Sequence, residues 1–356
     1  MSAPIDSAGA SDQTDAALVR GRGFGHGKVI LIGEHAVVYD QPALAAGLSL
    51  GVSAAAFDGQ GRLTAPGWGV EATAGDGSAI GTAFAALLRR LGVAHGDFAG
   101  AAAVDVRVAG DLPARSGLGS SAALAIAVAR AVAEARGGDA ETARLAAGDA
   151  ESVFHGKASG IDLAAAASGG VGSFRRGTGW RPVEVLQSMT LCVGLSGQVR
   201  DTRAQVEAVA RLRERTPAVD GIFVTLGQLA AAGELALGRG DVDELGRLLD
   251  VAHGLLAALR VSSPELETLV HAARAAGAVG AKLTGGGGGG AVIALAPGHE
   301  RDVLRRWKAA GFEGFLARIG SGDAADISLK AGGLSHAQQA PVEHAHHAPR
   351  PQGARS

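Results

Sequence analysis

Between residues 25 and 48, in GHGKVILIGEHAVVYDQPALAAGL, three chemically capable side chains, Lys28, Glu34 and His35, interrupt a run of Val, Ile, Leu and Ala. A charge inside an apolar run is costly unless it meets a partner. Either these residues line a site, or they occupy an edge strand and a solvent-facing turn. Asp162, set between Ser159-Gly160 and the small-residue run LAAAAS, raises the same question. Its carboxylate calls for a cation or a proton donor, and Lys28 is the expected partner. Glu151, one helix end upstream, is either a second acid on that site or an ordinary exposed helix residue. The strand end with Lys28 and the turn with Glu34 and His35 would then floor a site holding phosphate, a metal and Asp162.

Two glycine-rich stretches suggest where the phosphate would lie. In DLPARSGLGSSAALAIAVARAV, residues 111–132, a strand-like segment passes through a Gly/Ser turn directly into a long apolar helix. Gly117 and Gly119 allow a tight turn and close backbone approach, and the first N–H groups of the helix favour an anion. Ser120 and Ser121 can cap that helix or contact a bound cation; a capped helix with no ligand is the simpler alternative. Gly117, Gly119 and Ala122 also have the spacing of a dinucleotide fingerprint. That fingerprint needs an acidic residue about 20 residues on, ending a second strand, whereas here one helix follows another. A Walker A loop is absent, because GHGKV lacks both the first glycine and the Ser/Thr after the lysine. Near the other end, GAKLTGGGGGGAVIAL places Gly285 to Gly290 between apolar flanks. Flexible linkers have polar flanks, so this loop is expected to pass close to something bulky, and the two loops could view one phosphate from two sides.

The elements that must position these groups follow from periodicity. GKVILIGEHAVVY, AAAVDVRVAG, TLCVGL and GGAVIALAP read as strands. Helical periodicity runs through SSAALAIAVARAVAEAR, DAETARLAAGDAESVFHG, TRAQVEAVARLRER, VTLGQLAAAGELALGRG and DVDELGRLLDVAHGLLAAL, and through SPELETLVHAARAAG, which Ser-Pro opens. A boundary is expected near residues 180–190, where RRGTGWRPVEV is polar and punctuated by Gly and Pro. At 356 residues the chain is long enough for two domains. Both ends lack periodicity and are excluded from the fold, including His344, His346 and His347, which receive no function. A net charge of −2 removes the basic surplus of nucleic-acid binders, and no apolar run reaches the roughly 20 residues of a membrane span. Cys192 is the only cysteine, so no intrachain disulfide forms; it is expected as a buried strand residue. Without the pattern of a signal peptide at the N-terminus, the expected location is cytoplasmic.

Taken together the segments resemble the GHMP kinase family. GKVILIGEHAVVY is similar to its first motif, LPARSGLGSSAAL to its second and KLTGGGGGGAVI to its third, and the resemblance spans roughly residues 24–330. GEHAVVY, HGKASGID, RDTRAQV and HGLLAALRVSSPELE look most like the branch that phosphorylates mevalonate. The implied fold is α+β, with a ribosomal protein S5 domain 2-like N-terminal domain over residues 21–185 and a ferredoxin-like α+β C-terminal domain over residues 186–331. Tails at residues 1–20 and 332–356 flank them, and ATP and substrate occupy the cleft between the domains. By the same resemblance Asp162 accepts or orients the substrate hydroxyl proton, and Lys28 pairs with it and lowers the hydroxyl's pKa. Ser121 and Glu151 would hold Mg²⁺. Gly117, Leu118, Gly119, Ser120, Ser121, Ala122 and Glu34 would surround the ATP phosphates. His35 and Thr202 join Lys28 and Asp162 around mevalonate, and Gly285, Gly286, Gly287 and Gly288 form a supporting loop. The resemblance implies ATP and Mg²⁺ as cofactors and is compatible with a homodimer, with no nucleic acid or membrane as partner. Two departures, GFGHGK for the usual Ala-Pro-Gly-Lys and Gly286 where many members have alanine, alter loop stiffness more than chemistry. Phosphomevalonate, homoserine or a sugar as acceptor remain alternatives. So does a nucleotide-binding sensor without turnover, although its signature, loss of Lys28, Asp162 or the metal ligands, is not present.

Overall fold

The computed structural model describes residues 18–93, 104–113, 116–155, 159–198 and 202–320. The expected tails are therefore outside the described residues except for their inner edge, where strand β1 (Val19–Ile32) already begins at Val19. Residues 321–331, assigned to the C-terminal domain, also lie outside them.

β1 pairs antiparallel along β2 (Ala43–Asp58), with Lys28 opposite Gly47. The other edge of β2 takes β5 (Val104–Gly110) along its second half and β6 (Val171–Arg175) along its first. β3 (Arg62–Ala65), β4 (Val70–Thr73) and β7 (Gly179–Pro182) complete a seven-stranded sheet in the order β4-β3-β5-β2-β6-β7, with β1 on β2. Residues 175–182 of the polar segment near the expected boundary at 180–190 belong to the β6–β7 hairpin at the edge of this sheet. Helices α1 (Ala79–Arg90), α2 (Ser120–Arg136), α3 (Ala140–His155) and α4 (Ile161–Ser168) pack around it.

The strand expected over GKVILIGEHAVVY stops at Ile32. Gly33 (φ 109°) and His35 (φ 60°) enter the left-handed region, and Ala36–Tyr39 form a single turn of 3-10 helix. Apolar composition continues through that turn because Ala36 and Val37 are buried, so hydrophobicity alone could not mark the strand's end.

α2 lies unusually close to β1. A Cβ at Gly21, Gly23 or Gly25 would fall 2.0–2.2 Å from the carbonyl oxygens of Ala131, Ala127 and Ala123, respectively. Two residues of strand and four of helix both advance about 6–7 Å, so the glycines at alternate positions keep step with every fourth alanine. This contact places the start of α2 beside Lys28, three residues beyond Gly25.

The second sheet contains β8 (Met189–Leu195), β9 (Gly280–Thr284), β10 (Ala291–Leu295) and β11 (Glu313–Ile319), antiparallel in the order β11-β8-β10-β9. Between β8 and β9 run α5 (Thr202–Arg215), α6 (Asp220–Arg239), α7 (Val242–Ala258) and α8 (Pro264–Ala275); α9 (Glu300–Ala309) joins β10 to β11. A strand order of 4-1-3-2 with helical crossovers is the ferredoxin-like arrangement. α8 starts as its Ser-Pro sequence predicts: Ser263 caps it by accepting the Leu266 N–H, and Pro264 occupies the first turn. Cys192 on β8 is fully buried, and burial pushes its thiol up to about 12.

Among the described residues one helical stretch, Pro217–Arg239, is long and apolar enough to cross a membrane, with mean hydropathy 1.4 over its best window. No such stretch was expected from the sequence. Its apolar residues have a different use: Phe223, Leu226, Ala230 and Leu237 are buried, and α6 packs on β1, β2 and α7. Its outer side carries Glu234, paired with Arg181 at 2.7 Å.

Candidate active site

The last turns of β1 gather the chemistry into two neighbouring clusters. In the first, Lys28 is 2% exposed and its ammonium lies 2.8 Å from Oδ1 of Asp162. The expected pair is therefore formed. Asp162 sits in the first turn of α4, which Gly160 opens in left-handed backbone (φ 89°), and its side chain is 41% exposed. One end of the pair is fixed in the core and the other faces outward, where an acceptor hydroxyl can approach.

The Gly/Ser turn rests directly on Lys28. The Lys28 N–H donates to the Leu118 carbonyl at 2.8 Å, and a Cβ at Gly119 (φ 76°) would lie 2.6 Å from Lys28 Cγ. Only glycine fits that contact and that backbone. Gly119, not Ser120 or Ser121, is the N-cap of α2, and no side chain caps this end. The opening N–H groups of α2 are thus not used by a capping side chain, and the helix dipole adds positive potential there. Leu118 and Ala122, expected near phosphate, are both fully buried, so their side chains belong to the core.

Glu151, near the end of α3, is also buried at 6% exposed. Burial, followed by the Asp162 charge, pushes its carboxyl up to about 7, and Lys28 pulls it the other way. Glu151 is therefore part of the Lys28–Asp162 cluster and not a solvated helix residue. With Lys28 already paired to Asp162, ionising Glu151 beside them adds a negative charge that a divalent cation would relieve. Among the described residues no group of three or more His, Cys, Asp and Glu side chains could hold a metal. Glu151 and Asp162 are two neighbouring carboxylates, and Mg²⁺ is commonly bound by one or two carboxylates with substrate phosphates.

The second cluster joins β1 to β9. Glu34 is 1% exposed and pairs through Oε1 with the ammonium of Lys282, which is fully buried. Lys282 also donates to the Leu283 carbonyl at 2.6 Å, and the Gly285 N–H lies 3.3 Å from the same Glu34 oxygen. Burial lowers the Lys282 pKa against the upward pull of Glu34. Thr284 extends the junction: its Oγ1 accepts the Ile30 N–H at 2.9 Å and donates to the Ile30 carbonyl at 3.0 Å. Glu34, expected near the nucleotide phosphates, is engaged here as the tie between the two sheets. Lys282 was missed, although a lysine in the apolar flank AKLT carries the same signal that singled out Lys28.

His35, 5% exposed, places Nε2 3.0 Å from the Gly286 carbonyl oxygen. A Cβ on Gly286 would come 3.0 Å from Thr202 Cγ2, at the start of α5. The bulk that the glycine loop must pass is the chain itself: added Cβ atoms would meet the Val261 carbonyl oxygen at 2.1 Å from Gly287 and Gln205 Nε2 at 2.3 Å from Gly288. The structure therefore brings Lys28, Asp162, Glu151 and the Gly117–Ser121 turn together, with Glu34, His35, Thr202 and Gly285–Gly288 in the adjoining cluster.

Comparison with known proteins reaches the same segments. Residues 78–170 match the family model described as GHMP kinases N terminal domain, and residues 234–313 match GHMP kinases C terminal. Mevalonate kinase of Pyrococcus horikoshii is 34% identical over 317 residues, covering 82% of this chain and 93% of the relative. Mevalonate kinase of Aeropyrum pernix is 36% identical over 287 residues, covering 76% and 86%. The crystal structure of L. major mevalonate kinase in complex with R-mevalonate superposes with a TM-score of 0.72 at 29% identity, covering 84% of this chain and 95% of that one.

Proposed function

The chain belongs to the GHMP kinase family, and from that premise we propose that it transfers the γ-phosphoryl group of ATP to the primary hydroxyl of mevalonate, giving 5-phosphomevalonate. The observation that carries the reading is the buried Lys28 ammonium 2.8 Å from the half-open Asp162 carboxylate, under the uncapped start of α2. Relatives named mevalonate kinase, matched over most of their length, support the acceptor.

Phosphoryl transfer depends chiefly on positioning and charge stabilisation. Asp162 accepts the proton of the acceptor hydroxyl. Lys28 holds that carboxylate in place and stabilises negative charge as it develops on the hydroxyl oxygen. The N–H groups at the start of α2, with the backbone of Gly117 and Gly119, bind phosphate oxygens. Ser121 and Glu151 would hold Mg²⁺, which supplies charge neutralisation at the phosphates when bound. His35 and Thr202, on either side of Gly286, orient the acceptor. The segment of residues 183–188, between the two sheets, is the domain boundary in this reading.

The test is ADP release from Mg²⁺-ATP with a panel of mevalonate, phosphomevalonate, homoserine and galactose. Turnover confined to mevalonate is expected. Turnover with another member of the panel would replace the acceptor while keeping the chemistry, and nucleotide binding without turnover on any of them would refute the reading.

A further inference from the structure

A cavity of about 450 Å³ lies outside both clusters, between α5 and the end of α7. Three exposed arginines, Arg211, Arg215 and Arg260, line it together with an apolar wall of Leu212, Leu259 and Val261. The volume falls within the range of small-molecule sites, roughly 300–1,000 Å³. Among the described residues no carboxylate lines it. Arg211 has only a loose partner, Glu207 at 4.0 Å, while Arg215 and Arg260 form no ion pair with any described residue. Three arginines around one cavity, two of them without an ion pair among the described residues, favour an anion there.

Arg260 adds an independent observation. It holds left-handed backbone (φ 62°) just past the end of α7, where its N–H donates to the Ala257 carbonyl at 2.8 Å. Glycine is the usual residue in that position, and a residue with a Cβ is strained there. A chain with 56 glycines nonetheless places arginine at this point. A cation near a helix C-terminus recovers some of that cost through the dipole, but Lys or Arg one turn earlier would do so without strain. Arg260 instead lines the cavity from this left-handed position.

We propose that this cavity is a binding site for a small phosphorylated compound with a short aliphatic portion. Guanidinium forks match phosphate oxygens in bidentate geometry, and Leu212, Leu259 and Val261 take the hydrocarbon. The site is distinct from the Lys28–Asp162 cluster, none of whose residues line it, and it stands whether or not the acceptor is mevalonate. It lies one hydrogen bond from the glycine loop, since the Val261 carbonyl accepts the Gly288 N–H at 2.7 Å.

The test is calorimetric titration of the full chain with butyl phosphate and, separately, inorganic phosphate, each with and without saturating Mg²⁺-ADP. Butyl phosphate is expected to bind at least tenfold more tightly than inorganic phosphate, in the presence of Mg²⁺-ADP as in its absence. Arg215→Ala and Arg260→Gly are each expected to weaken it at least tenfold. Arg260→Gly serves as its own folding control, because glycine relieves the strain and the variant should melt no lower than the parent. Equal affinity for the two phosphates, displacement by Mg²⁺-ADP, undiminished binding in Arg260→Gly, or no binding to the parent overturns the proposal.

Discussion

Replacing Glu151 with glutamine should stabilise the metal-free protein while impairing its use of Mg²⁺. Glu151 is 6% exposed, and its carboxyl is pushed from an ordinary 4.5 up to about 7, first by burial and then by the Asp162 charge. A carboxyl whose pKa is higher folded than unfolded binds more protons in the folded state between those two values. Its stabilising contribution is therefore complete below about pH 4.5 and is lost as pH rises to about 7. At about 1.4 kcal/mol per pH unit, that interval corresponds to about 3–4 kcal/mol of destabilisation at pH 8. Glutamine has the shape of the protonated acid and does not ionise. Glu151→Gln should accordingly match the parent near pH 4.5 and exceed it at pH 8, by on the order of 5 °C in Tm for a chain of this size. The assay is thermal unfolding of both proteins across pH 4.5–8 without metal, followed by the Mg²⁺ dependence of nucleotide affinity. A Tm difference that does not vary with pH, or a variant less stable than the parent at pH 8, would refute the reasoning.

Asp162→Asn should lower kcat by on the order of 10²–10⁴-fold if the carboxylate takes the hydroxyl proton, with nucleotide affinity by calorimetry unchanged; a variant retaining most of its turnover would remove Asp162 from that role. Lys282→Met leaves Glu34 buried beside an apolar side chain, and Glu34 Oε2 already lacks a hydrogen-bond partner among the described residues. Urea unfolding should show a loss of about 3–5 kcal/mol, partly recovered in the double variant with Glu34→Gln; a loss under about 1 kcal/mol would mean the tie between the sheets is not needed. Cys192, fully buried with its thiol pushed up to about 12, should resist iodoacetamide at pH 8 in the folded protein and react fully in denaturant, as read by intact mass.

Much of this site could be seen in the sequence, because burying charge is costly enough to mark its location. Lys28 in an apolar strand and Asp162 ahead of a small-residue run each needed a partner, and they are partners. The helices with sustained periodicity, such as α2 and α7, also appear where expected. Local pattern failed where tertiary context decides. β2, ALAAGLSLGVSAAAFD, is the central strand of its sheet, yet its Ala, Gly and Ser carry almost no strand propensity. Its small side chains suit the closely packed layer formed with β1 and α2. Glu34 and Lys282 are 248 positions apart, and nothing in either local sequence names the other. The strand reading runs on through Ala36–Tyr39, which form a 3-10 turn, because hydrophobicity records burial and not backbone direction.

The central claim is that the Lys28–Asp162 cluster directs a phosphoryl group to a primary alcohol. Phosphorus-31 NMR of the protein with Mg²⁺-ATP and mevalonate, run in parallel with Asp162→Asn, tests it most directly. The parent should convert the γ-phosphate signal into one new phosphomonoester resonance coupled to the C5 methylene protons, and the variant should show little of it in the same time. Loss of γ-phosphate to inorganic phosphate alone, or an equal yield of phosphomonoester from the variant, would contradict the account.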